Sequence, residues 1–140
     1  SVALLINKYK KECLIDGVEI DEKVIELGRK YFQTDKLKNV TVYCDSATRY
    51  IENCRKRYDL VIIDVYLDLV VPGEVETEEF LFQVRDALNP GGMVIFNKFI
   101  NSRESREKLP VMEERYRRIF GSLRVVTMMT TGKIFVAEKQ

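Results

Sequence analysis

One stretch restricts the fold of this chain more than any other: Tyr58-Asp59-Leu60-Val61-Ile62-Ile63-Asp64. Residues 60–63 are an unbroken apolar run of strand length, the pattern of a strand covered on both faces in a parallel sheet, and the run closes on an acid. The same design recurs. A strand over residues 13–20 ends at Glu19-Ile20-Asp21, a shorter one over 40–44 ends at Asp45, and one over 93–96 ends at Asn97.

Helical patterns separate these runs. Residues 1–11 place Val2, Leu5, Ile6 and Tyr9 on one face, with Ser1 as N-cap. Asp21 caps a helix through Phe32 whose apolar positions are Val24, Ile25, Leu27, Tyr31 and Phe32. Residues 47–55 form a short helix with Tyr50 and Ile51 inward. After an irregular stretch containing Pro72-Gly73, Thr77-Glu78-Glu79 opens a helix carrying Phe80, Leu81, Val84, Ala87 and Leu88, and Asn89-Pro90-Gly91-Gly92 stops it. Residues 102–120 contain a charged helix in which Pro110 either interrupts the helix or starts its second part. Residues 123–129 and 133–138, separated by Thr130-Thr131-Gly132, read as an antiparallel hairpin. The order predicts an α/β fold over residues 1–140 as one domain: a three-layer Rossmann-like sheet, mostly parallel, closed by the hairpin.

In such sheets ligands lie beyond the carboxyl ends of the strands. Three of those ends carry acids. Glu19 can accept hydrogen bonds from both hydroxyls of a ribose, or be a solvated strand end. Asp45 can take the exocyclic amino group of adenine while backbone N–H groups at Ser46-Ala47 serve a ring nitrogen, or it can cap the next helix. Asp64 sits at a low-dielectric edge, where an acid can have a shifted pKa and act on a substrate amine, or it can simply turn into water. Ile20 lies against a purine or in the core, Tyr66 walls a ligand or packs in its loop, and Asn97 touches substrate or makes a turn. Asp68 is a second acid in the same mouth or a loop residue. Together, three acids at successive strand ends point to an adenosine-type ligand in one crevice.

Composition removes competing chemistries. The chain has no histidine, which excludes His-based triads, His–metal sites and histidine bases. Its three cysteines, Cys13, Cys44 and Cys54, are odd in number and widely spaced, which argues against a disulfide framework or a zinc site; they read as small buried hydrophobes. With 23 Lys plus Arg against 22 Asp plus Glu, no bulk attraction to nucleic acid or to a membrane surface is expected. Arg115, Arg117 and Arg118 read as a solvated helix face. The apolar runs are too short to span a bilayer, and no signal-peptide pattern is present, so a cytoplasmic location is expected.

The segment Asp16-Gly17-Val18-Glu19-Ile20-Asp21, followed by Val24-Ile25-Glu26-Leu27-Gly28 and Tyr31-Phe32, resembles the spermidine and spermine synthase superfamily. So do Asp45-Ser46-Ala47 with Tyr50-Ile51, the run 58–64, Thr77-Glu78-Glu79-Phe80 and Leu88-Asn89-Pro90-Gly91-Gly92. The resemblance implies a methyltransferase-type sheet with an antiparallel last strand. It also implies binding of S-adenosylmethionine, its decarboxylated form or the methylthioadenosine product. By carry-over, Glu19 holds the ribose, Ile20 packs on adenine, Asp45 and Ser46 read the adenine edge, and Asp64 takes the place of the catalytic aspartate that deprotonates and orients an attacking amine. The implied partner is a small-molecule amine or other acceptor.

Two departures stand out. Family members place a strand and a glycine-rich loop before the helix at which this chain starts, and that strand would lie between those ending at Glu19 and Asp64. Either the strands close the gap, or a homodimer covers the edges. Second, Asp64-Val65-Tyr66-Leu67-Asp68 lacks the D-x-x-D-P spacing and the proline of polyamine synthases, so this segment resembles more closely the synthase-like methyltransferases of unknown substrate, and a fold without the N-terminal β-domain of the synthases is expected. The alternative to a transferase is a non-catalytic remnant or interaction module that keeps the fold.

Overall fold

The helices begin where side-chain oxygens meet otherwise unpaired backbone N–H groups. In the computed structural model, which describes residues 2–67, 70–100, 102–128 and 131–140, the side chain of Asp21 accepts from Lys23 N at 2.8 Å. That bond opens α2 (Glu22–Phe32), and Gln33 ends the helix in the left-handed region with φ 52°. Thr77 Oγ1 accepts from Phe80 N at 3.2 Å and opens α4 (Glu78–Ala87). Ser102 and Ser105 form a reciprocal capping box for α5 (Arg103–Phe120), and Gly121, with φ 87°, terminates it. Pro110 lies inside α5, which runs through it; one missing N–H is tolerated because Met112, Tyr116, Ile119 and Phe120 bury the following turns. The proposed cap Ser1 and the acid Asp68 lie outside the described residues.

The chain divides into two compact units, Ser1–Tyr50 and Ile51–Gln140. The first holds α1 (Val2–Tyr9), β1 (Ile15–Glu19), α2, a 3-10 turn at Thr34–Lys36 and β2 (Val40–Cys44). β1 and β2 pair in parallel, from Ile15 opposite Val40 to Glu19 opposite Cys44. Its helix α3 (Ala47–Asn53) begins in this unit and ends in the next.

The second unit holds β3 (Tyr58–Ile63), a 3-10 turn at Gly73–Glu76, α4, β4 (Leu88–Phe99), α5, β5 (Arg124–Met128) and β6 (Gly132–Glu138). Its sheet has the order β3-β4-β6-β5. β3 and β4 are parallel, while β6 is antiparallel to both β4 and β5, as the hairpin and the antiparallel last strand required. Val94, Phe96, Phe135 and Ala137 share one face of this sheet and are closed to solvent. Tyr116 of α5 packs on that face, edge-on to Phe135 at 5.2 Å between ring centres and stacked on Phe120 at 5.4 Å.

Three expectations fail here. β4 is longer than residues 93–96 and starts at Leu88, because Gly92 allows the Asn89-Pro90-Gly91-Gly92 turn to close against the sheet. A Cβ at Gly92 would lie 2.9 Å from Asn89 O and 3.0 Å from Tyr58 O. β3 is not buried on both faces: Leu60 is 38% exposed and Ile62 36%, because α4 and α5 cover only the face that carries Ile63, Val94 and Phe96. Of the two outcomes expected at the gap, the first, closure by strands, is not found. Among the described residues β1 pairs only with β2, and β3 only with β4, in separate sheets.

Candidate functional site

In the first unit the parallel register decides the site. Because Glu19 stands opposite Cys44, the residues leaving both strands emerge at one carboxyl rim. Asp45 N donates to Glu19 O at 3.1 Å, so the two predicted acids are neighbours. Glu19 Oε1 accepts from Asp21 N at 2.9 Å, which fixes the half-buried carboxylate against the start of α2. Ile20, the next residue, is 63% exposed at the same rim, so it is a surface residue and not part of a core.

The capping of α3 falls to Ser46, whose Oγ accepts from Arg49 N at 3.2 Å. Asp45, read as a possible cap, instead accepts from Ser46 N at 2.8 Å and pairs with the Arg49 side chain. The Ser46 N–H is therefore turned to Asp45. Arg49 is 67% exposed, and an ion pair to so exposed an arm is weak and exchangeable. Behind the rim, Tyr50 Oη donates to Asp16 at 3.3 Å, and its ring lies 5.0 Å from that of Tyr43.

In the second unit Asp64 leaves β3 directly after the pair Ile63–Phe96. Its Oδ1 accepts from Asn97 Nδ2 at 2.9 Å. Tyr66 Oη donates to the Asn97 carbonyl at 2.8 Å. Asn97 thus grips both residues, one through its side chain and one through its backbone. Burial, and then the negative charge of Asp64, push the Tyr66 hydroxyl above its ordinary pKa, against the pull of a backbone hydrogen bond. Asn97 does not end its strand or form a turn: β4 continues to Phe99. The sequence pattern missed this, because an amide at a strand end reads as a turn signal unless its long-range partner is known. A cavity of about 300 Å³ beside Cys54, Arg57, Gln83 and Ala87 lies at the amino ends of β3 and β4, away from this rim.

Two other readings need correction. Cys13 and Cys44 are exposed thiols, not buried hydrophobes: Cys44 ends β2, and Cys13 lies in the exposed stretch between the turn at Lys11-Glu12 and β1. Arg115 is not part of a solvated face: a guanidinium N–H donates to the Glu76 carbonyl. Arg118 pairs with Glu78 and Arg117 with Glu113. Among the described residues no group of three acids or cysteines is spaced to hold a metal ion, and no helix is long and apolar enough to cross a membrane.

The first rim thus presents a carboxylate held by Asp21 N, a second carboxylate at the end of the neighbouring strand, and the exposed aliphatic Ile20.

Solved structures share the fold. Human methyltransferase-like protein 13, in complex with SAH, superposes with a TM-score of 0.86 at 20% identity, over 99% of this chain and 67% of that one. A spermidine synthase in complex with the transition-state analogue AdoDATO gives 0.80 at 20% identity, over 99% and 50%. Among curated sequences, a "Probable polyamine aminopropyl transferase" of Bifidobacterium longum is 28% identical over 137 residues, which is 96% of this chain and 30% of that protein. Polyamine aminopropyltransferase 2 of Hyperthermus butylicus is 38% identical over 92 residues, 56% of this chain and 28% of that protein. The chain thus spans about a third of the length of these curated relatives. The profile of the spermine/spermidine synthase domain matches residues 2–132. With nearly its whole length matched, this chain belongs to the spermine/spermidine synthase family.

Proposed function

We propose that this chain is the nucleoside-binding and amine-activating part of an aminopropyl- or methyltransferase. One observation carries the reading. Glu19 and Asp45 leave neighbouring parallel strands at one rim, joined by the 3.1 Å bond from Asp45 N to Glu19 O, with Ile20 exposed beside them. Glu19, already anchored through Oε1, offers Oε2 to the ribose hydroxyls. Ile20 supports the base, and Asp45 receives the adenine amino group as the exposed Arg49 arm gives way. Ser46 orients Asp45 through its N–H and holds the start of α3 through its hydroxyl.

The ligand supplies a sulfonium-activated carbon, as in S-adenosylmethionine or its decarboxylated form. In aminopropyl transfer the acceptor nitrogen forms a bond to that carbon, the carbon–sulfur bond breaks, and methylthioadenosine leaves as a neutral thioether. In methyl transfer the methyl group moves and the leaving thioether is S-adenosylhomocysteine. In either case the acceptor nitrogen must lose one proton. Asp64 is assigned to receive it, with Asn97 holding the carboxylate oxygen Oδ1 and leaving Oδ2 for the amine. Tyr66 flanks this acid as a neutral hydrogen-bonding group. Alignment and proton removal are what such a displacement demands of a protein.

Titration calorimetry against S-adenosylmethionine, its decarboxylated form and methylthioadenosine tests the reading. Binding of at least one is expected, with Glu19→Ala and Asp45→Ala each weakening it tenfold or more, about 1.4 kcal/mol. Absence of heat with all three sinks the reading. Tight binding that survives Glu19→Ala overturns the site assignment. Binding with Asp64→Asn intact and turnover lost supports the role given to Asp64.

A further inference from the structure

The most deeply buried charge in the second unit sits one residue from Asn97. Lys98, 5% exposed, is the single buried charged residue among those described. Successive residues of a strand point to opposite faces, so Asn97 and Lys98 leave β4 on opposite sides. Asn97 turns to Asp64 and Tyr66, at the start of the segment that joins β3 to α4. Lys98 Nζ pairs with the carboxylate of Glu76, at the end of that segment. The Glu76 carbonyl accepts from Arg115 of α5, which ties the same turn to a third element.

Apolar contacts hold this segment as well, since Val71 and Val75 are buried. Apolar burial is non-directional and tolerates sliding. A buried ion pair adds little net stability, since replacing both partners by apolar groups of similar size is often neutral. What it adds here is direction: one ammonium, one carboxylate, one arrangement. Two adjacent residues on a rigid strand thereby hold both ends of one connecting segment.

We propose that Lys98 and Glu76 are positioning residues, whose ion pair fixes the β3–α4 segment so that the Asp64 carboxylate stays in register with Asn97. The functional meaning of this rests on the reading of Asp64 as the acid that faces the acceptor amine. The positional claim stands or falls without it.

The test compares the full chain with the double variant Lys98→Met/Glu76→Met, which leaves no lone buried charge, and with Glu76→Gln, which keeps the shape and an acceptor. Nitrogen NMR reads the Asn97 side-chain amide, assigned through Asn97→Ala, and hydrogen exchange reads the backbone of residues 70–77. In the double variant the expected result has three parts. The denaturation midpoint stays near that of the parent. Exchange in residues 70–77 speeds up about tenfold while β4 and β6 stay protected. The Asn97 amide resonance moves towards that of a free amide. In Glu76→Gln the same changes appear in smaller measure. An unmoved Asn97 resonance in both variants overturns the proposal. So does a uniform rise in exchange across β3, β4 and β6, or an unfolded double variant alongside a Glu76→Gln that matches the parent, since each makes the pair merely structural. None of these readouts needs a cofactor, so a failed calorimetric test of the nucleoside site leaves this result separately readable.

Discussion

The two units repeat the same alternation of helix and strand yet differ in what holds them. Among the described residues of Ser1–Tyr50 a single hydrophobic side chain, Ile25 at 7% exposure, is buried, and α2 presents Val24, Leu27, Tyr31 and Phe32 to solvent. In Ile51–Gln140 Phe96, Phe135, Tyr116, Phe120, Leu81, Leu88, Val84 and Val94 are closed to solvent. The cause is topological. A two-stranded parallel sheet offers little surface to cover and is marginal by itself, whereas four strands under α4 and α5 enclose a continuous apolar layer. The unit that carries Glu19 and Asp45 is therefore expected to be the less stable one, while Asp64 stands on the firmer support. Binding regions are commonly drawn from the low-stability end of a molecule.

The largest effect belongs to the second unit. Phe96→Ala removes a ring packed between Tyr116 and Phe135 and should cost about 3–5 kcal/mol, read by urea denaturation. If β1 and β2 lost exchange protection to the same degree, the contrast between the units would collapse. Ile25→Ala comes next, at about 2 kcal/mol, near the low end for such truncations. Its signature is faster exchange in β1, β2 and α2 with β4 and β6 unaltered; a fall in the main denaturation midpoint would break the comparison from the other side.

The cap pair sharpens it further. Asp21→Ala and Thr77→Ala each remove one side-chain acceptor from a helix start and should cost about 1 kcal/mol. The first should appear as local exchange in α2, the second as a shift of the global midpoint.

The smallest effect at neutral pH is Tyr116→Phe. The Tyr116 hydroxyl is buried without a hydrogen-bond partner among the described residues, so its loss should change stability little. Burial, and then the charge of Glu76, hold this phenol well above its ordinary pKa. The unfolded chain releases the proton near pH ~10 while the fold retains it. Tyr116 thus contributes its full share of stability below that pH, and the share falls as pH rises. Tyr116→Phe should flatten the alkaline decline of the urea midpoint between pH 9 and about 11. An unchanged decline would show that the phenol is not what titrates.

Much of this was legible in the residues because it is local. Asp21 and Thr77 announce their helices through the spacing of oxygen and N–H within one turn, and the runs ending at Glu19, Asp45 and Asp64 announce strands and their order. The Asp45–Glu19 bond was foreseeable only as a consequence of parallel pairing. Asn97 was not legible, since its amide partner is 33 residues away. Ser46, not Asp45, caps α3 because α3 starts at Ala47, which leaves Asp45 one residue outside the helix. Arg115 was misplaced because a basic stripe on a helix reads as solvated until another element supplies a carbonyl.

By itself, then, the sequence determined the element order, the helix starts and the family, since periodicity and capping act over a few residues. Tertiary structure decided which strands share a sheet, which face of β3 is covered, and which distant residues meet: the backbones of Glu19 and Asp45, and the side chains of Asp64 with Asn97 and of Glu76 with Lys98. Those outcomes depend on contacts between residues 22–33 positions apart, where register and sheet membership, not local preference, set the neighbours.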